Sequence, residues 1–213
     1  MIVKCVSNEK NRYITTGKRY SVISGGYEFI KSERVFDSYR IIDDMGTLSI
    51  YEATDFTIIS DCLNDYEISQ NDNIDEFVHK GVSYVTFYED YYNDIIDAKV
   101  RLESIQIEIY RCECSKDELI IFLCSDIYSN ENYILLKALS EQLNELDIEA
   151  LISYFNSEFL SQNVDFAEEF LHLLSKYKNE NVYQYFLDYF SAHVGENQNI
   201  DHIISTYFDE CYL

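Results

Sequence analysis

Charge is divided unevenly along this chain, and the division limits how it can be built. Residues 1–50 hold eight lysines and arginines (Lys4, Lys10, Arg12, Lys18, Arg19, Lys31, Arg34 and Arg40) against six acids, a net of +2. The other 163 residues hold 33 acids and 8 bases, a net of −25. Compositions this different read as two parts, a near-neutral module and a strongly acidic body, with the boundary in 55–70. The whole chain carries −23. Long-range repulsion at that charge opposes coating a nucleic-acid backbone or an anionic membrane, so neither is expected as a partner. No stretch approaches the roughly 20 apolar residues of a membrane span. Met1–Cys5 runs straight into a strand-like pattern, without a signal peptide's basic-then-apolar layout, so a cytoplasmic protein is expected. In that compartment Cys5, Cys62, Cys112, Cys114, Cys124 and Cys211 read as reduced, mostly buried thiols.

The first part reads as strands and turns. Ile2–Val6 and Tyr20–Ser24 alternate, Gly25-Gly26 reads as a turn, and Tyr27–Ile30 and Ser38–Ile42 follow. Asp43-Asp44-Met45-Gly46 is a second turn before Thr47–Tyr51. Five short strands with glycine-bearing turns predict a small closed β-barrel over residues 1–58. So small a module has little interior and should lean on the acidic body.

Four stretches carry a family resemblance: Lys4-Cys5-Val6, Thr16–Val22, Tyr39–Gly46 and Tyr51–Phe56. Together they resemble the small SH3-like barrel modules of low-GC Gram-positive bacteria and their phages. In those modules a G-K-x-Y stretch opens a strand, a Y-x-I-x-D-D-x-G hairpin follows, and a closing segment ends near a Phe. The resemblance covers about a quarter of the chain and implies a fold. The family's closing segment has a proline after the aromatic; here Glu52 follows Tyr51 and the chain has no proline. The resemblance therefore implies no peptide-binding groove.

Residues 59–128 read as a mixed segment. Asn71–Lys80 is expected as a short helix stopped by Gly81, Val82–Tyr88 as a strand, and Glu89–Leu102 as a helix. Alternation over Ile105–Ile109, with a turn at Ser115–Glu118, predicts a β-hairpin over 104–124. Residues 129–213 read as an acidic helical bundle with starts at Ser129, Asp147, Asn163, Asn179 and Asn199. The expected class is α+β: an SH3-like barrel, a mixed middle and a C-terminal bundle.

Enzyme signatures are lacking. Gly25-Gly26 has no following Lys-Ser/Thr, there is no His-Glu-x-x-His, and His79, His172, His193 and His202 fall in separate elements. His172 and His202 read as helix-surface residues. Cys112 and Cys114 on one strand face, with Cys124 opposite, are the best zinc candidates, but a fourth ligand would have to come from Cys62 or Cys211. A row of half-buried thiols is the favoured reading. Asp90, Asp94 and Asp97 stand at i, i+4 and i+7 beside Glu89, a spacing suited to a metal-dependent nuclease. They lack a suitably placed Lys or His, and 39 acids produce such spacing by chance. No catalytic residue, cofactor or metal is expected.

A binding surface remains. Acids recur on nearly every expected helix, interleaved with tyrosines; Glu141, Glu145, Glu149 and Asp188, with Tyr185 and Tyr189, form the expected contact set. Such acids steer a basic partner and aromatics anchor it. The expected function is a non-catalytic inhibitor of a basic nuclease or other nucleic-acid-binding protein, of the phage anti-defence kind (anti-CRISPR or anti-restriction). An immunity protein against a cationic toxin is the alternative. A metal-dependent enzyme using the clustered carboxylates ranks behind both.

Overall fold

The computed structural model describes residues 1–9, 11–70 and 75–211. Its first part is an antiparallel sheet of β1 (Ile2–Cys5), β2 (Arg19–Ile30), β3 (Glu33–Ile42), β4 (Leu48–Glu52), β5 (Phe56–Ser60), β6 (Tyr66–Gln70) and β7 (Asp75–His79). The order is β4-β3-β2-β1-β5, with β7 beside the outer half of β2 and β6 beside β7. Among the described residues no ladder joins β4 to β5, so the sheet is open and the expected closed barrel is not formed. A single 3-10 turn, Ala53–Asp55, links these two edge strands.

Gly25-Gly26 lies within β2 and not at a turn. A Cβ at Gly25 would sit 2.4 Å from the Ser38 carbonyl oxygen and 2.7 Å from the Phe77 ring. Glycine is needed there for the close approach of neighbouring strands. The chain reverses instead at Lys31 and Ser32, both at positive φ (52° and 70°), as a type I′ hairpin turn requires. The Asp43–Gly46 turn forms as expected. Asp43 Oδ1 accepts the Met45 and Thr47 N–H groups, and Tyr51 Oη donates to Oδ2 at 2.8 Å.

The middle segment departs furthest from expectation. Residues 71–74 of the expected helix lie outside the described residues, and 75–79 are β7, paired to both β2 and β6. The expected strand Val82–Tyr88 is instead the end of a 3-10 turn and the start of helix α1 (Phe87–Tyr92). Helical spacing brings the Phe87 and Tyr91 rings to 6.2 Å, and the Tyr88, Tyr91 and Tyr92 hydroxyls reach back to Ser24, Gly46 and Leu48 of the sheet segment. The expected helix 89–102 is broken at Asn93–Ile95, where Asp94 has φ 60°.

The expected hairpin over 104–124 is helical: α2 (Ile96–Glu113) and α3 (Lys116–Leu123). Ile105, Ile107 and Ile109 alternate. The buried set, however, is Ala98, Leu102, Ile105, Gln106, Ile109 and Tyr110, the three-to-four spacing of a helix face. Ser115 and Glu118, expected as a turn, form a capping box that starts α3.

Six helices follow: α4 (Asn132–Leu139), α5 (Glu145–Tyr154), α6 (Ser157–Gln162), α7 (Val164–Leu174), α8 (Glu180–His193) and α9 (Gln198–Cys211). Asn163 and Asn179 precede α7 and α8 as expected. The cap of α5 is Asn144, with Asp147 returning its bond from the third position. Ser129 lies in the 3-10 turn Asp126–Glu131 ahead of α4, and Asn156 caps a helix, α6, that the sequence reading merged with its neighbour.

Two apolar cores result. One lies within the sheet around Tyr20, Tyr39, Phe56 and Phe77. The larger runs through the helices and takes in Ile2, Ile23 and Leu48 from the sheet, so the first part leans on the body as expected. Among the described residues no helix is long and apolar enough to cross a membrane.

Candidate partner-binding surface

A buried charge holds the two parts in register. Lys18 is fully buried, with Nζ 2.8 Å from Asp44 Oδ1, 2.7 Å from Glu131 Oε1 and 3.0 Å from Asn130 Oδ1. Tyr110 Oη donates to Glu131 at 2.6 Å, and Tyr20 Oη donates to Asp44 at 2.9 Å. A cation just ahead of β2 thus fixes Asn130 and Glu131, and with them the start of α4 at Asn132-Tyr133.

Beside this lock, Arg19 Nη1 lies 2.7 Å from Glu118 Oε1. The Ser115 N–H and the Arg19 guanidinium hold the Glu118 carboxyl at about 2, below its ordinary 4.5. A depressed carboxylate stabilises the fold above its unfolded pKa, and that contribution fades as pH falls from about 4.5 toward 2. Because the pair is part-exposed, Glu118→Gln should cost no more than about 1 kcal/mol at pH 7. The difference from wild type in urea midpoint should close by about pH 2.

The fixed start of α4 lines one side of an acidic groove. Three adjoining hollows of about 320, 450 and 350 Å³ share Tyr133. Glu103 of α2 and Asp165, Glu168 and Glu169 of α7 surround it. Glu169 is engaged by Lys137 at 2.7 Å, and Glu168 accepts from Asn199 Nδ2 at 3.3–3.4 Å. Glu103 and Asp165 have no side-chain partner among the described residues. Asn132, at the inner end, is only 7% exposed and its Oδ1 accepts no hydrogen bond.

Compared with known protein families, characterised proteins and solved structures, the chain matches none.

The contact set expected from sequence is dispersed. Glu141 is exposed, 3.9 Å from Arg111; Glu145 is exposed in the first turn of α5; Glu149 accepts from Asn181 Nδ2 at 2.8 Å. Asp188 is exposed and accepts from Gln184 at 2.7 Å. Tyr185 turns inward, donating to the Phe155 carbonyl at 2.5 Å, and burial raises its pKa. Tyr189 is buried, so it is a core ring and no surface anchor. The reason is the phase of α8, which buries Val182, Phe186 and Tyr189 together. None of Glu103, Tyr133, Asp165, Glu168 and Glu169 belongs to the contact set expected from sequence. The groove draws on three helices far apart in sequence, and no spacing signal could assemble it.

The metal candidates also separate. Asp90 lies in α1, Asp94 in the break beyond it with Lys99 Nζ at 2.6 Å, and Asp97 in the first turn of α2, so they share no helix face. Cys112 is exposed near the end of α2, Cys114 is buried at its C-cap, and Cys124 ends α3; no hairpin aligns them. Burial pushes the Cys114 thiol up to about 11, which disfavours the thiolate a metal needs. Among the described residues no group of three or more His, Cys, Asp or Glu side chains is placed to hold a metal.

Proposed function

We propose that this chain is a non-catalytic acidic binding protein that engages and blocks a basic, nucleic-acid-handling protein, in the manner of a phage anti-defence inhibitor acting in the cytoplasm. The observation that carries this reading is the groove around Tyr133, where Glu103 and Asp165 stand unpaired in a part of the chain with a net charge of −25. The chain's own Lys137 already lies over the Tyr133 ring, 5.2 Å from its centroid, and the unpaired carboxylates beside it suit a further cationic group. The strand order β5-β1-β2-β3-β4, with a short turn before β5, supports reading 1–58 as an open relative of the SH3-like module. In this division of labour the sheet braces the groove through Lys18, and the helices make the electrostatic contact.

The test is capture from a low-GC Gram-positive lysate at about 50 and about 500 mM salt, between which the Debye length falls from roughly 14 Å to roughly 4 Å. A basic nuclease or nucleic-acid-binding protein should be retained at low salt, associate more slowly at high salt, and lose activity when bound. Replacing Glu141, Glu145 and Glu149 with glutamine should slow association more than it speeds dissociation. Recovery of no basic partner at either salt removes the proposal. Rescue of cells from a single cationic toxin, with nucleases untouched, replaces it with the immunity reading.

A further inference from the structure

The face of the sheet opposite the Tyr39–Phe77 core holds a charge that no side chain of the fold engages. Ser24 and Gly26 of β2 pair with Arg40 and Ser38 of β3 on one side, and with Val78 and Glu76 of β7 on the other, so all six lie on one face. That face floors a hollow of about 360 Å³, walled by Ile50 of β4 and Tyr88 of α1. The Arg40 guanidinium stacks on the Tyr88 ring, 4.0 Å from its centroid. Stacking occupies the face of the group and leaves its in-plane N–H donors unserved. Arg40 is half-buried, yet it makes no hydrogen bond or ion pair among the described residues. Its Nε is enclosed and out of a ligand's reach, whereas its two terminal nitrogens keep accessible surface beside the hollow. Across β2, two strand spacings or roughly 10 Å away, β7 carries Glu76. Glu76 and Asp37 line the same hollow, are exposed, and have no side-chain partner among the described residues. One hollow thus presents an unserved cation and unserved carboxylates that do not pair with each other.

We propose that this hollow binds a lysine-type zwitterion, one carboxylate and one ammonium group joined by a short methylene chain. The carboxylate accepts from the terminal nitrogens of Arg40, whose planar fork matches it. The ammonium group reaches Glu76, and the four-carbon stem lies along Ile50, Val78 and Tyr88. A phosphate or dicarboxylate also suits Arg40 but brings a second negative charge toward Glu76 and Asp37. A diamine serves the acids and leaves Arg40 unfilled. A ligand of zero net charge is neither drawn nor repelled by the −23 of the whole chain, so the site does not depend on the basic-partner reading.

The experiment titrates the nitrogen-15-labelled full chain, at about 150 mM salt, with Nα-acetyl-lysine, its carboxamide (ammonium only), Nα-acetyl-norleucine (carboxylate only) and L-lysine. Chemical-shift changes should centre on Gly25, Gly26 and the Arg40 side chain. Nα-acetyl-lysine should bind about tenfold tighter than either single-charge analogue, each of which lacks one charge-assisted contact. The double variant Asp37→Asn/Glu76→Gln, altered only at exposed side chains, should bring Nα-acetyl-lysine down to the affinity of Nα-acetyl-norleucine. Arg40→Gln should bring it down to that of the carboxamide. L-lysine, with a second ammonium beside its carboxylate, separates the two sources of such a ligand: binding weaker than that of Nα-acetyl-lysine marks a chain-terminal lysine, and equal or tighter binding marks the free amino acid. Equal binding of Nα-acetyl-lysine and either single-charge analogue, an unchanged preference in the double variant, or shifts centred elsewhere overturns the site, as does a lack of binding at millimolar concentration.

Discussion

Replacing Lys18 with methionine should lower the stability of the fold by about 3–5 kcal/mol, measured as a shift in the urea midpoint at unchanged slope. The size follows from what is left behind. Lys18 is fully buried, and it alone brings a cation within 3 Å of both Asp44 and Glu131 among the described residues. Methionine fills similar space but strands two carboxylates, one of them nearly as buried as the lysine itself. The exposed pair Lys99–Asp94 is a control at a shorter distance, 2.6 Å. Lys99→Met should leave the midpoint where it is, because water already screens that pair. Equal effects of the two substitutions would mean that burial is not what gives the Lys18 network its strength.

Phe170→Ala should cost a similar amount, about 3–5 kcal/mol, with loss of near-ultraviolet circular dichroism from the helical part. Phe170 is fully buried in α7, with ring centroids 5.4 Å from Phe155, 5.6 Å from Phe166 and 6.2 Å from Tyr185. Removing it opens a cavity that three other rings border, and the edge-to-face contacts with Phe155 and Tyr185 are lost together with the stack on Phe166. Tyr185 limits how far the site can collapse, because its hydroxyl is tied to the Phe155 carbonyl. A cost below about 1 kcal/mol would show that α5 to α8 repack freely and that the cluster is less ordered than its geometry implies.

The parts legible in sequence are those where one local signal stood without a rival. The turn at Asp43–Gly46 and the starts of α7 and α8 after Asn163 and Asn179 are of this kind. The middle segment misled because two periods coexist there. Ile105, Ile107 and Ile109 alternate, yet the burial that decides the outcome runs through Leu102, Gln106 and Tyr110. Gln106 and Tyr110 are polar or half-polar, so a reading by hydrophobicity passes over them. Gly25 misled for a different reason. Its glycine answers to Ser38 and Phe77, neither of which is near it in sequence. The same holds for the groove, whose members come from α2, α4 and α7. Local patterns do not register side chains that only tertiary contact brings together.

The lock at Lys18 also sets an order of events during synthesis. Lys18 and its partner Asn130 are 112 residues apart. At roughly 5–20 residues per second, a ribosome takes on the order of ten seconds to supply the second after the first. Through that interval the first strands can pair among themselves and Lys18 can meet Asp44, but its contacts to Asn130 and Glu131 are missing, and the sheet cannot take its final seat. Those contacts come only when the turn ahead of α4 is made. A premature stop between these positions should yield a chain with exposed strand edges and a ready claim on chaperones, not a small folded module.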